Sequence, residues 1–143
     1  MKWPHRLSVL VAEVIVLALM TAAPAFAETM LVCDLEPNEL LVQDSPTILT
    51  LNESEHTISG KLGSYHYSDP TFQGVIREES FAPVSATFAE DEISFTAPPA
   101  LIVHASAGDR FNLNRVTGEF QHFDAGGTRV GDTQRCHPAT KQF

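Results

Sequence analysis

The side chains that could bind a metal ion are five histidines that follow residue 27: His56, His66, His104, His122 and His137. A zinc site needs three or four converging ligands, usually announced by a short spacing such as HxH or HExxH, and neither spacing occurs. One metal hypothesis remains, in which His104, His122 and one carboxylate meet across neighbouring strands. The favoured alternative is that both are ordinary histidines of the core edge or the surface. Strand parity supports it, because it places His104 on a face with Ile102 and His122 on a face with Phe120.

Tyr65 and Tyr67 are candidate ligand-binding residues. With Phe72 they cluster aromatic groups in the least regular part of the chain, and aromatic side chains on the loops of a rigid β-scaffold can contact a peptide, a glycan or a small apolar ligand. The alternative is a strand with one or both tyrosines packed on the core.

Arg115 is the third candidate ligand-binding residue, since it lies in a predicted turn at 114–118. Asn114 suits the turn because its side chain can bond backbone groups, and Gly118 because it accepts a positive φ. The arginine could bind an anion, but pairing with a carboxylate such as Glu119 or Asp109 is the favoured alternative.

Catalytic motifs do not stand out. The chain has no GxSxG motif and no glycine-rich phosphate loop, and its two cysteines are expected to pair. Many carboxylates could form an acid–base pair, but the sequence selects none of them. An enzyme is therefore left open but disfavoured, and no cofactor is predicted.

The two cysteines, Cys33 and Cys136, lie near opposite ends of the chain without a CxxC spacing. In an exported protein this pattern predicts one structural disulfide. Closing a loop of about 100 residues contributes roughly 4–5 kcal/mol in the chain-entropy estimate. The bridge implies that the first and last strands lie side by side.

Residues 1–27 contain a basic start, an apolar run and a small-x-small ending, the three parts of a secretory signal peptide. The pattern predicts cleavage before Glu28, which leaves 28–143 as one domain in the periplasm or outside the cell. A membrane anchor is disfavoured because Glu13 would be costly at the centre of a bilayer.

The charge balance excludes several partners. The whole chain has 9 basic and 18 acidic residues, and removal of 1–27 leaves 7 basic and 17 acidic ones. Such a surface repels nucleic acid and anionic lipid headgroups, whose binding depends on Lys and Arg. It favours a basic protein partner, mainly by steering the encounter.

Apolar–polar alternation dominates the predicted domain and predicts an all-β fold, a single small antiparallel barrel or sandwich of about 7–9 short strands. Segments 84–88 and 93–97 predict a hairpin with an acidic turn. The apolar run 101–105 predicts a strand buried on both faces, whereas 63–80 predicts a loop or an irregular strand.

The segments FNLNRVTGEF and GGTRVGDTQRC resemble the end of small exported bacterial proteins of unknown function. Those proteins carry an alternating strand, an Asn/Asp-Arg-x-Thr-Gly turn, one more strand and a glycine-led final cysteine. Their first cysteine follows the signal cleavage site, as Cys33 does here. The resemblance covers 111–136 and implies a small disulfide-closed β-domain, without an activity.

These observations predict an exported, non-catalytic β-domain that binds a protein or a small ligand. The alternatives are a carrier with a barrel cavity for a small apolar ligand, and a minor hydrolase. The interior of the barrel distinguishes the binding domain from the carrier. Filling by four phenylalanines would exclude a carrier, whereas a void of several hundred Å³, on the order of known ligand sites, would favour it. The four are Phe88, Phe95, Phe111 and Phe120.

Overall fold

The computed structural model describes residues 28–139, which form strands and connecting turns without a helix. The predicted signal peptide and residues 140–143 lie outside the described residues. Within 28–139 no helix has the length and apolarity needed to cross a membrane. The strands are β1 (Thr29–Leu35), β2 (Leu41–Gln43), β3 (Thr47–Asn52), β4 (Thr57–Leu62), β5 (Tyr65–Tyr67), β6 (Val75–Ile76), β7 (Glu79–Ser85), β8 (Thr87–Phe88), β9 (Glu92–Thr96), β10 (Arg110–Asn114), β11 (Glu119–Phe123) and β12 (Arg129–Pro138).

Nine strands form one antiparallel sheet in the order β7-β4-β3-β1-β12-β11-β10-β9-β8. Its edge strands, β7 and β8, are separated in the chain only by Ala86. Since β7 pairs with β4 and β8 pairs with β9, one bent run of chain joins both edges. The sheet therefore curls into a nearly closed barrel with few unpaired edges. The all-β prediction is confirmed, and of its two architectures the barrel is the one that forms.

The predicted hairpin of 84–88 and 93–97 forms only in part. Thr87 and Phe88 pair with β9, but Val84 and Ser85 pair with β4 on the other side of the bend at Ala86. Local alternation identified the strand residues correctly. It did not reveal the change of partner, because pairing depends on the closure of the whole barrel.

The strands β2, β5 and β6 form a separate small sheet that the sequence did not predict. Gln43, Tyr65 and Ile76 occupy paired positions and therefore share a face, and Leu41, two residues before Gln43, lies on the same face. The side chain of Gln43 ties this sheet to β1, because its Oε1 accepts the backbone N–H of Leu35 at 2.8 Å. The small sheet thus stands at one end of the barrel.

The first and last strands pair, as the disulfide prediction requires. In the β1–β12 register Cys33 lies directly opposite Cys136, and the two form a disulfide. Cys33 is fully buried in the core. The predicted bridge is therefore confirmed.

Stacked phenylalanine rings form the centre of the barrel core. Neighbouring ring centroids are 5.2–5.6 Å apart, and each of these side chains is at most 5% exposed. Phe88, which was expected among them, is only partly buried and packs edge-on against His56. The stacked rings are those of Phe81, Phe95, Phe111 and Phe120.

The apolar run 101–105 is a loop, so its prediction as a buried strand is wrong. Leu101 is buried in the core, but Ile102 is 82% exposed. The backbone N–H groups of 102–104 bond to a side-chain carboxylate instead of a neighbouring strand. Because that acceptor comes from another element, the composition of the run could not reveal it.

The predicted turn at 114–118 is confirmed. Asn114 Oδ1 accepts the backbone N–H groups of Val116 and Thr117, both at 2.9 Å. Gly118 has a φ of +78°, and a Cβ there would lie 2.5 Å from the backbone O of Cys136. Glycine is therefore required both by the conformation and by the close approach of β12.

Candidate functional site

A pocket of about 200 Å³ opens between the barrel and the small sheet. The rings of Phe111 and Phe120 form its floor, and the small sheet contributes one wall. The loop 101–105, β12 and residues of β1, β4 and β11 contribute the rest. The lining residues are Leu35, Leu41, Leu62, Tyr65, Ile76, Val103, His104, Phe111, Phe120, Gln121, His122, Val130, Gly131, Asp132 and Gln134.

Tyr65 joins the small-sheet wall to the barrel. Its side chain is buried, and its ring meets the ring of His104 edge-on with centroids 6.3 Å apart. Burial raises the pKa of the Tyr65 phenol, against the opposing effect of hydrogen bonds with Thr47 and Gln43. The phenol is therefore neutral at physiological pH and presents an aromatic surface to the pocket.

Glu79 holds the loop that carries His104. Its carboxylate accepts the backbone N–H groups of Ile102, Val103 and His104 at 2.7, 2.8 and 2.9 Å. His104 Nδ1 lies 2.8 Å from Glu79 Oε1, and His104 Nε2 lies 2.8 Å from the carbonyl O of Gly63. Burial opposes ionisation of Glu79, but the bonds from the His104 ring and these backbone groups outweigh it, so the pKa of Glu79 lies below its ordinary value.

Both ring nitrogens of His104 therefore face oxygen atoms that only accept hydrogen bonds. A carbonyl has no proton to donate, and neither has an ionised carboxylate. The ring of His104 thus bridges Glu79 and Gly63 and ties the loop to β7.

His122 is anchored to a second carboxylate. Its Nε2 lies 2.7 Å from Asp109 Oδ2, and its ring stacks on Phe111 with centroids 4.6 Å apart. The backbone N–H of Ser106 and then the His122 side chain lower the pKa of Asp109. The imidazole is thus fixed in orientation where it lines the pocket.

Gln134 supplies an unpaired polar atom beside the pocket. Its Oε1 is buried and has no hydrogen-bond partner among the described residues. A buried acceptor without a partner is costly, and a donor on a bound molecule would remove that cost. The pocket therefore combines apolar and aromatic walls with a few polar groups, an arrangement that suits an apolar group with a hydrogen-bond donor.

The structure does not bring His104, His122 and a shared carboxylate together. His104 bonds to Glu79 and His122 bonds to Asp109, so the two imidazoles do not share a carboxylate. No group of three or more His, Cys, Asp or Glu side chains that could hold a metal ion exists in the described part of the chain. His104 also lies in a loop, so the strand parity that grouped it with Ile102 does not apply.

The structure separates the two candidate tyrosines. Tyr65 lines the pocket, whereas Tyr67 is 42% exposed and packs against Phe72 outside it, with ring centroids 5.9 Å apart. The strand alternative for this segment is correct, since both tyrosines belong to β5 and Tyr65 is packed inward.

Arg115 lies away from this pocket and pairs with an unexpected carboxylate. Its Nη2 is 3.0 Å from Glu53 Oε1, in the turn between β3 and β4. Asp109 bonds instead to His122, and Glu119 lies 3.7 Å from Arg135. Carboxylate pairing was the favoured interpretation, but both named partners were wrong.

Comparison of the chain with protein-family models, with curated proteins and with solved structures finds no match. The class of protein is therefore defined by the fold and the site alone. It is a disulfide-closed β-barrel with an apolar, imidazole-lined pocket at one mouth.

Proposed function

We propose that this protein is an exported, non-catalytic binding module whose pocket accepts one apolar side chain of a basic protein partner. The open apolar pocket at the barrel mouth is the observation that carries the proposal. Ligand sites are typically concave and mostly apolar, with a few polar groups that fix orientation. The aromatic floor, the two anchored imidazoles and the unpaired Gln134 Oε1 fit that description.

The size of the pocket favours a single side chain over a larger free ligand. Pockets for drug-sized molecules measure about 300–1,000 Å³, whereas this one measures about 200 Å³. The pocket does not continue into the barrel, because stacked phenylalanines occupy the interior behind it. A carrier with its cavity inside the barrel is therefore disfavoured.

Exposed apolar side chains concentrate around the same end of the molecule. Such groupings are typical of surfaces that contact another protein. Most of the large exposed apolar side chains of 28–139 belong to the small sheet and its flanking loops or to the pocket rim. They are Leu40, Val42, Tyr67, Phe72, Val75, Ile102, Val103 and Val130.

The charge of the chain favours a basic partner. Residues 28–143 contain 17 acidic and 7 basic side chains. Asp132 lines the pocket itself. A basic partner would be steered to this surface, and a lysine or arginine beside its apolar side chain could pair with such carboxylates.

A non-catalytic role is the simpler proposal. Of the residues described, none that lines the pocket is a serine, threonine or cysteine, whose hydroxyl or thiol a neighbouring imidazole can activate. Export is supported by the pattern of 1–27 and by the disulfide, which persists in oxidising compartments.

The test is an NMR titration of the isotopically labelled protein with a short lysine-rich peptide that carries one central phenylalanine. We expect saturable shifts of the amides around the pocket, including those of Val103 and Gln134. Replacement of the phenylalanine by alanine should weaken binding by at least about tenfold, the loss typical of an anchor residue. Equal binding of the two peptides would contradict the proposal.

Two matched variants locate the site. Val103 and Val116 are both exposed loop valines, but only Val103 lines the pocket. Val103→Asp should abolish the shifts, and Val116→Asp should leave them intact. Loss of binding in both variants, or in neither, would show that the peptide binds elsewhere.

A further inference from the structure

A second pocket of about 240 Å³ opens at the opposite end of the barrel. Thr29 and Leu35, the first and last residues of β1, line the second and the first pocket respectively. The second pocket has apolar walls, formed by Leu31, Leu51, Phe88, Ile93 and Leu113. It takes no part in the proposed function.

An ion pair stands at the mouth of this second pocket. Both Arg115 and Glu53 line it, and Arg115 Nη2 lies 3.0 and 3.2 Å from the two carboxylate oxygens of Glu53. Arg115 Nη1 also donates to the carbonyl O of Ala89 at 2.9 Å. Three turns, β3–β4, β8–β9 and β10–β11, therefore converge at this mouth. They hold one guanidinium and one carboxylate beside an apolar cavity.

The ion pair is accessible to a ligand. The side chains of Arg115 and Glu53 are 31% and 58% exposed. Exposed ion pairs of this kind are weakly held, because water and salt screen them. A ligand that offers better-placed charges can separate the two side chains and pair with each of them.

The charges at the mouth select the ligand. A simple carboxylate would pair with Arg115 but leave Glu53 without a partner, and the acidic turn that contains Glu90 and Asp91 would repel it. A simple amine would pair with Glu53 but leave Arg115 without its carboxylate partner. A zwitterion satisfies both side chains, since it brings one charge of each sign and no net charge.

We propose that this pocket binds a free α-amino acid with an apolar side chain. Its carboxylate pairs with Arg115, its ammonium group pairs with Glu53, and its side chain enters the apolar pocket. The volume fits this class of ligand. A cavity of about 150 Å³ holds benzene, so a pocket of about 240 Å³ has room for a benzyl or an isobutyl group.

The test compares three probes that share one aromatic ring: L-phenylalanine, phenethylamine and 3-phenylpropanoate. Binding to the purified protein is measured by NMR titration. We expect L-phenylalanine to shift amides of the β3–β4 and β10–β11 turns, and the other two to bind at least about tenfold more weakly because each lacks one charge-assisted contact. Either of them binding as tightly as L-phenylalanine would overturn the proposal, as would no binding of L-phenylalanine up to its solubility.

Variants separate the ion pair from general effects of charge. Arg115→Gln and Glu53→Gln should each weaken L-phenylalanine binding by at least about tenfold. Lys61→Gln is the matched control, because it breaks another partly exposed ion pair, Lys61–Glu78 at 3.2 Å, outside the pocket lining. A smaller loss in the first two variants, or an equal loss in the control, would overturn the assignment.

Discussion

The imidazole of His104 and the carboxylate of Glu79 form a buried pair, with Nδ1 and Oε1 2.8 Å apart and side chains 9% and 11% exposed. The same carboxylate accepts the backbone N–H groups of Ile102, Val103 and His104. One side chain on β7 therefore fixes the loop that forms part of the pocket wall. The shape of the pocket depends on the charge of Glu79.

Glu79→Gln should destabilise the protein and release the loop. The substitution removes the charge that strengthens four hydrogen bonds, and we expect a free energy of unfolding lower by about 1–3 kcal/mol. Urea unfolding measures the loss. Faster hydrogen exchange of the backbone amides of Ile102 and Val103 would localise it. Glu78→Gln is the adjacent control, since Glu78 forms a partly exposed pair with Lys61 and accepts no backbone N–H of the loop. A loss as large in Glu78→Gln would show that the effect is not specific to the loop.

Acid should destabilise the fold through Glu79 and Asp109, the two carboxylates that anchor the pocket histidines. Hydrogen bonds lower the pKa of Glu79, against the effect of its burial, and also lower that of Asp109. A carboxylate whose pKa is lower in the folded chain stabilises the fold fully above its unfolded-state pKa of about 4, and this contribution is lost as pH falls through the folded-state pKa. At pH values below about 4, we expect the melting temperature to decrease as the pH is lowered. The decrease should be smaller in Glu79→Gln. An identical profile for both proteins would contradict this assignment.

Gly118→Ala should destabilise the protein more than Gly127→Ala does. Both glycines have positive φ, +78° and +85°. A Cβ at Gly118 would lie 2.5 Å from the backbone O of Cys136, whereas a Cβ at Gly127 meets nothing within 4 Å. We expect a loss of about 1 kcal/mol from the left-handed backbone at Gly127 and at least about 1 kcal/mol more at Gly118. Equal losses of stability in the two variants, measured by thermal unfolding, would contradict this prediction. They would mean that β12 shifts to accommodate the Cβ without loss of free energy.

Removal of the disulfide should cost much of the stability. The bridge joins residues 103 positions apart, and a loop of this length contributes roughly 4–5 kcal/mol in the chain-entropy estimate. The double variant Cys33→Ala, Cys136→Ala is compared with the oxidised protein by urea unfolding. A loss below about 1 kcal/mol would show that the paired strands β1 and β12 hold the ends together without it.

Several elements could be predicted because their signals are local. Strands β10 and β11 alternate inward and outward side chains around a turn that needs asparagine and glycine, and the structure has both strands and the turn. The two cysteines allowed a single pairing, so the adjacency of β1 and β12 also followed.

Other elements could not be predicted because their causes are distant. The run 101–105 has the composition of a buried strand, but Glu79, more than twenty residues earlier, takes its backbone donors. The small sheet escaped prediction because β5 and β6 are only 3 and 2 residues long, too short for a period to be visible.

The sequence by itself determined the all-β class, the disulfide, the 114–118 turn and the acidic balance, because each depends on residue types or on neighbours in the chain. Only the tertiary structure decided where ligands could enter. Leu41, Tyr65, Val103 and Gln134 meet in one pocket, and Glu53 meets Arg115 at the other, although these residues are far apart in sequence. Such meetings depend on how the sheet curls and closes, and no local pattern of side chains encodes them.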